Sequence, residues 1–416
     1  MSKYYDIIII GSGMAGLYSA YKIKKLSPST SFLVIEKYNK NWIGGRTSNE
    51  TFYGTEVVTG AGIGRLDTNP LLIKLMKQLN IKYLKYKSVM NYSKMMNQID
   101  IVKIIDKLRT EYKKHPELHN KTFKQFSIKI LGPKLYKNFI ISAGYTDYEN
   151  ADIAETLYNY GMDDNKGGWT VLHIPWKQMV YKLYDLIGHN HFNFSSDVIK
   201  INKIKFDPCL FEIVTKDNKI FYSNKVIIAT TISGIKELVP GASNKNSLYQ
   251  QIHGQPFLRL YAKFDKKSSD IMRKYVSSYT IVPGPLQKII PMDSDKGVYM
   301  IAYSDNNNAI ILKDHLKNTP EDRELFSELI EKSLGINEKL IIISLKDFYW
   351  SIGTHYYEPL KGFDSREEFV YKAQHPEKGM LVVGEVVSRY QGWVEGALES
   401  VDVVLNRKWI ETLCKN

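Results

Sequence analysis

The chain has 416 residues, 44% hydrophobic and 24% charged, with a formal net charge of +13. That size supports two or three domains with real cores, and no apolar run approaches the ~20 residues of a bilayer span. The lysines are scattered and no basic run carries interleaved aromatics, so neither a nucleic-acid nor a membrane partner is expected.

Two cysteines, Cys209 and Cys414, cannot build a disulfide framework or a four-thiolate metal site. The nine histidines show no metal-binding spacing, so no metal is expected. "MSKYYDIIIIGSG" does not read as a signal peptide, and the expected location is cytoplasmic.

The run "YYDIIIIGSGMAGLYSAYKIKKL" begins with a buried strand over 5–10. Gly11, Gly13 and Gly16, with Met14 and Ala15 between, form G-x-G-x-x-G at the start of a helix. Gly11 permits the tight turn, Gly13 lets the backbone approach a pyrophosphate, and Gly16 lets helix and strand pack closely. A second strand, "SFLVIE", ends in Glu36, about 20 residues on, followed by Lys37. A carboxylate there accepts ribose hydroxyls. Strand, turn, helix, strand and acid together specify an adenine dinucleotide site, and leave NAD and FAD both open.

Next comes "KYNKNWIGGRTS", with Gly44, Gly45 and Arg46. A guanidinium clamps phosphate oxygens in a bidentate way, and the glycines admit a cofactor. In "GAGIGRLD", Gly62, Ile63 and Gly64 lead into Arg65. A helix follows, with Asn69 as its cap and Pro70 at its first position.

From about 100 to 160 the pattern is mostly helical, broken at His115-Pro116 and Gly132-Pro133. From 256 to 350 short alternating strands dominate, interrupted by one helix over 321–334. In the strand "PFLRLYAKF", Leu258, Leu260, Ala262 and Phe264 face inward, which leaves Arg259, Tyr261 and Lys263 facing outward. The last stretch, "KGMLVVGEVVSRYQGWVEGALESVDVV", reads as a strand over 380–383, Gly384-Glu385, a loop, Gly392, and a helix from Trp393 and Val394.

This ordered set resembles the flavin-containing amine oxidase superfamily, which includes monoamine, polyamine and L-amino acid oxidases. The resemblance rests on Gly-Gly-Arg after the ribose acid, on "KGGWTVLHIPW" with its helix and the strand from Val198, on the re-entering strand "NKVIIATTISGI", and on Gly-Glu followed by Gly-Trp. It implies an α/β fold with a Rossmann-like FAD-binding domain assembled from 1–57, 166–250 and 375–416. An α+β substrate domain with an antiparallel or mixed sheet would span 58–95 and 251–374, and a helical subdomain 96–165.

The implied cofactor is FAD, held by the glycine turn, Glu36, Arg46, the Gly62–Gly64 stretch, Val198, Glu385 and the helix after Gly392. The implied reaction passes the Cα–H of a small amine as hydride to flavin N5, giving an imine and, with oxygen, hydrogen peroxide. By resemblance to L-amino acid oxidases, Arg65 binds the substrate α-carboxylate; the alternative is an ion pair with Asp67 or another acid.

Trp393 and Tyr356, with Tyr357 as a rival for the second place, flank the amine. His355 stands where monoamine oxidases carry the cysteine bonded to flavin, as a linkage point or a polar pocket residue. Arg259 replaces the family's lysine, and an arginine cannot relay a proton near neutral pH, so oxygen and another electron acceptor both stay open. Rival readings are a polyamine or peptidyl-lysine oxidase, a desaturase or dehydrogenase of the same fold, and a flavoprotein that binds a partner without turnover. A homodimer is left open.

Overall fold

Ile7, Ile8, Ile9 and Ile10 are buried on both faces of the strand Lys3–Ile10, which runs through the middle of a seven-stranded sheet. A β-branched run buried on both sides is the mark of a covered parallel strand. The computed structural model describes residues 3–97, 99–206 and 209–412; Cys414 lies outside them.

Lys3–Ile10 pairs in parallel with Ile220–Ile228 on one side and Phe32–Ile35 on the other, with Phe192–Asn193 beyond. Met380–Val382 joins in parallel along Val226, Ile227 and Ile228. An antiparallel pair, Val198–Phe206 with Cys209–Thr215, completes the sheet. The strands therefore come from the start, the middle and the end of the chain.

Helices Met14–Leu26, Trp176–Ile187 and Val394–Val404 cover one face, over a core that includes Leu17, Trp176 and Leu398. Ile232–Leu238 and Arg366–Gln374 cover the other, with Ile235 and Phe369 in its core. This is a Rossmann-like layer arrangement, with helices on both faces of a largely parallel sheet.

A second, six-stranded sheet holds Ile342–Tyr357, Ile252–Phe264, Val298–Asp305, Lys288–Asp293, Tyr279–Ile281 and Met90–Tyr92 in that order. Its longest ladder runs from Ile252 opposite Tyr357 to Phe264 opposite Ile342, so the last strand extends well past Trp350. Three helices, not one, punctuate this part: Lys266–Tyr275, Asn306–Leu312 and Pro320–Leu334. The first buries only Ser268, Ser269, Ile271 and Met272, an apolar stripe too thin for periodicity to reveal. Its start is fixed by Asp265, whose carboxylate accepts the Ser268 N–H at 2.7 Å.

The outward face expected for Arg259 and Tyr261 is corrected, while Lys263 stays half-exposed and reaches the Lys296 carbonyl. Leu258, Leu260, Ala262 and Phe264 do form a core, but Arg259 and Tyr261 are buried too, against the first domain. Both faces of this strand are covered, so alternation cannot say which one meets water.

Helices Ile101–Lys114, Phe123–Leu131, Pro133–Ala143 and Ile153–Tyr158 gather around Phe123, Phe126, Phe139 and Tyr148. Chain breaks fall at Pro116 and Pro133, where proline can open a helix but not continue one. Among the described residues no helix is long and apolar enough to cross a membrane.

Where this bundle meets the second sheet lies a buried polar cluster. Lys288 has no exposed surface; its Nζ donates to the Gly144 carbonyl and stands 3.1 Å from the Tyr145 ring centroid. Burial lowers its pKa to about 7. Asp305 accepts from the Thr146 N–H at 3.0 Å and from Gln287 Nε2 at 3.0 Å. Burial, with Asp305 nearby, lifts the Asp147 carboxyl well above its ordinary value.

Removing Lys288 takes the donor from the buried Gly144 carbonyl and the favourable field of the amine from Asp147. Lys288→Met is therefore expected to destabilise the protein by about 3 kcal/mol or more. The exposed control Lys74→Met should stay within about 0.5 kcal/mol. Chemical denaturation midpoints read both.

Candidate functional site

The glycine turn is shaped by close contacts. Gly11 sits at φ +102°, and a Cβ there would lie 2.5 Å from the Ala229 carbonyl oxygen. A Cβ on Gly16 would overlap the carbonyl oxygen of Gly11. Gly13 differs: a Cβ built on it meets nothing within 4 Å. Gly13 is also the N-cap of Met14–Leu26, and no side chain caps that helix. An uncapped helix start beside a residue with room at its Cβ position is the arrangement that receives an anion.

The Gly44-Gly45 turn closes over this place. The Gly44 N–H donates to Ser12 O at 2.9 Å, and a Cβ on Gly45 would stand 3.7 Å from Gly13 Cα. Glu36 braces the turn from below. Its Oε2 accepts from the Ser12 N–H at 2.7 Å and Ser12 Oγ at 2.8 Å, and its Oε1 accepts from the Tyr38 N–H at 3.0 Å. Lys37 pairs with Asp197 at 3.1 Å, beside buried Val198.

Arg46 reaches across to the end of the chain. Its Nη1 donates to Gly353 O at 2.6 Å and to Glu385 Oε1 at 2.9 Å. Glu385 also takes His355 Nδ1 at 2.5 Å and, through Oε2, the Gly392 N–H at 3.0 Å. His355 Nε2 accepts the N–H of Ile232 at 3.1 Å, so the ring proton sits on Nδ1 and donates to Glu385. Burial raises the Glu385 carboxyl, but His355, Arg46 and the Gly392 amide outweigh it and hold it well below the usual glutamate range.

Both His355 nitrogens are engaged, Nδ1 by Glu385 and Nε2 by the Ile232 N–H. Beside Gly392, by contrast, Thr354 Oγ1 is buried without a partner. Gly384 donates its N–H to Ser400 Oγ at 2.8 Å, which fixes the turn before Glu385.

The small residues of "GAGIGRLD" are explained by crowding. The carbonyls of Thr59, Gly60 and Gly62 accept from Trp350 Nε1 at 2.7 Å, Arg259 Nε at 2.6 Å and Trp176 Nε1 at 3.3 Å. A Cβ on Gly60 would overlap the Arg46 carbonyl, and one on Gly62 would stand 3.1 Å from Arg259 Nη2. After half-buried Ile63, Gly64 and Arg65 pair with Leu172 and Val171. Arg259 thus lies against this stretch, with its guanidinium 4.0 Å from the Tyr303 ring centroid.

Arg65 does not pair with Asp67. Its guanidinium lies 3.6 Å from the Trp393 ring centroid, and Nη2 donates to Asp164, on the 3-10 turn Met162–Lys166. Its Nε is buried with no partner. Trp169 stands 5.9 Å away and donates Nε1–H to the Asp164 carbonyl at 3.2 Å.

Asn69 is also corrected: its side chain accepts the Arg65 N–H at 2.7 Å and does not cap the helix Pro70–Gln78. Glu395 does that from the helix Val394–Val404, accepting the Leu71 and Leu72 N–H groups at 2.9 Å each. Trp393 is the N-cap of Val394–Val404. Tyr356 stacks on His253 at 5.2 Å and packs against the helical core, so no ring contact joins it to Trp393 among the described residues. Tyr357 is fully buried, donating to Ser388 O at 3.0 Å.

Asp164, Trp169, Glu395 and the Lys288 cluster were absent from the sequence reading. "GMDDNKGGWT" carried a usable signal, an acid pair and a tryptophan between glycines. Nothing local marks Glu395 as a cap for a helix more than 300 residues away.

The Glu385 junction makes a pH prediction. A carboxyl held below its ordinary value of 4.5 contributes stability fully above that pH and loses it as the pH falls through the folded-state value. Stability should therefore drop as the pH falls below about 4.5. Glu385→Gln should cost about 3 kcal/mol at pH 7 and flatten that acid limb. Denaturant melts at pH 7 and pH 4 measure both.

Residues 9–79 match the family model of an NAD(P)-binding Rossmann-like domain. An uncharacterized protein of Acanthamoeba polyphaga mimivirus is 21% identical over 481 aligned positions, covering 96% of this chain and 93% of its own. Among solved structures, wild-type putrescine oxidase bound to putrescine aligns with a TM-score of 0.74 at 15% identity, covering 97% of this chain and 100% of its own. Cyclohexylamine oxidase from Brevibacterium oxydans IH-35A aligns at 0.73 and 16% identity, covering 99% and 98%. The chain therefore has the fold of the flavin amine oxidases, a Rossmann-like domain joined to a mixed-sheet domain and a helical bundle.

Proposed function

We propose that this protein is an FAD-dependent oxidoreductase that oxidises a small-molecule amine, and that the amine is an α-amino acid. The observation that carries the cofactor reading is the open space at Gly13 beneath an uncapped helix start. The surroundings fit FAD: Glu36 Oε1 keeps one lone pair for a ribose hydroxyl, and Thr354 Oγ1 is buried without a partner among the described residues, beside Gly392. Gly11, Gly13, Met14, Ala15 and Gly16 would hold the pyrophosphate, with Gly44, Gly45 and Arg46 closing over it and Lys37 and Val198 on the adenine side. Gly62, Ile63, Gly64, Gly384, Glu385, Gly392 and Val394 would border the rest. FAD bound there supplies the two-electron oxidation of the amine.

The chain's own residues bind, orient and exclude water. Arg65 supplies a fixed charge with a buried, unspent Nε–H, suited to a substrate carboxylate. Trp393 gives the guanidinium a flat support and forms one wall of the site. Arg259 holds a fixed positive charge against the Gly60–Gly62 backbone but cannot move a proton, so the electron acceptor is oxygen or another oxidant. One observation favours a second reading. Asp164 already neutralises Arg65, and an acid in this place suits an amine without a carboxylate, such as the putrescine of the structural relative.

Anaerobic bleaching of the flavin tests the choice. L-Amino acids should bleach it, and Arg65→Ala should slow that by roughly 10- to 100-fold, the worth of a charge-assisted hydrogen bond. Bleaching by putrescine or cyclohexylamine alone would select the second reading. A colourless protein that no added FAD restores would end both. Acid precipitation should release the FAD into the supernatant, since His355 has no free nitrogen to bond it.

A further inference from the structure

Asp164 stands on Met162–Lys166, a turn with Gly161 before it and Gly167 after it. Its Oδ2 takes the Arg65 guanidinium through Nη2. The fit is close: at Gly161, φ +102°, a Cβ would overlap the guanidinium nitrogens, so only glycine lets the turn come this near. On its outer side the turn is tied to Ile101–Lys114 by Arg109, whose Nη1 and Nη2 reach the two Asp163 oxygens at 3.0 and 3.1 Å. Arg65 is largely shielded, with 12% side-chain exposure, while Asp164 keeps 33%. The arginine is thus the fixed partner and the acid the one nearer water.

Resting on the amino-acid reading above, we propose that Asp164 is a specificity-determining residue. It is an internal carboxylate that occupies Arg65 until a substrate carboxylate displaces it. An amine without an anionic group cannot make that exchange and leaves the pair closed. Burial raises the Asp164 carboxyl even beside Arg65, and a carboxylate that is costly to keep charged is easier to displace. The exchange balances when the displaced Asp164, the more exposed partner, turns to water or takes up a proton, which its raised carboxyl favours.

Calorimetric titration of the purified holoprotein with benzoate, a carboxylate that cannot be oxidised as an amine, tests this directly. Benzamide serves as the neutral control. Asp164→Asn should bind benzoate about tenfold tighter than wild type, because the competing charge is gone. Arg65→Ala should lose benzoate binding, and benzamide should not distinguish the three proteins. Asp164→Ala repeats the test without the amide.

Equal or weaker benzoate affinity in both Asp164 variants overturns the proposal, as does benzoate binding that survives Arg65→Ala. The heat of binding does not depend on turnover. Tighter benzoate binding without oxidation of any amine rejects the functional reading alone. Amine oxidation with unchanged benzoate affinity rejects Asp164 alone.

Discussion

One buried carboxylate, Glu385, draws four separated stretches of chain to a single point. Arg46 comes from the loop after the second strand, His355 from the longest strand of the second sheet, and Gly392 from the turn before Val394–Val404. Through His355, the backbone of Ile232 joins as well. A carboxylate without partners here would carry a desolvation cost of several kcal/mol, so the four attachments and the charge require one another. The relative placement of the two sheets and of the Arg65–Trp393 wall rests on this junction, because Trp393 follows Gly392 directly.

Much of the first domain was legible. The four isoleucines, the glycine turn and the acid after the second strand each have a local physical cause, and the structure shows Gly11 and Gly16 packed as tightly as that pattern implies. The breaks at Pro116 and Pro133 were legible for the same reason. What failed was whatever depended on partners far along the chain. Asn69 resembles a helix cap, but its oxygen serves Arg65 while Glu395 caps the helix. Arg259 alternates like a surface residue but is enclosed, because the face opposite its core is covered by another domain. Tyr356 was implied by resemblance, with Tyr357 as a rival; in the structure Tyr356 stacks on His253 and Tyr357 is buried.

The substrate side of the molecule is unusual for its charge. Arg65, Arg259 and Lys288 are held in or near the interior, each over an aromatic ring. Aromatic faces offer a cation partial compensation for lost water, which lets fixed charge sit in a dry chamber. Acids stand near two of these cations: Asp164, after the bundle's last helix, beside Arg65, and Asp147 and Asp305, from the bundle and the second sheet, near Lys288. The bundle thereby contributes charge as well as cover.

The sheet's composition also bears on how the polypeptide reaches its native state. Lys3–Ile10 is made long before its parallel partner Ile220–Ile228, and Met380–Val382, which completes the pairing along Val226 to Ile228, follows later still. During synthesis the isoleucine strand must wait, unpaired along one side, until Ile220–Ile228 emerges roughly 200 residues later. An exposed apolar edge of that duration invites association with other nascent chains. Chaperone holding, or early collapse of the helical bundle around it, would be needed to keep ribosome-bound copies apart.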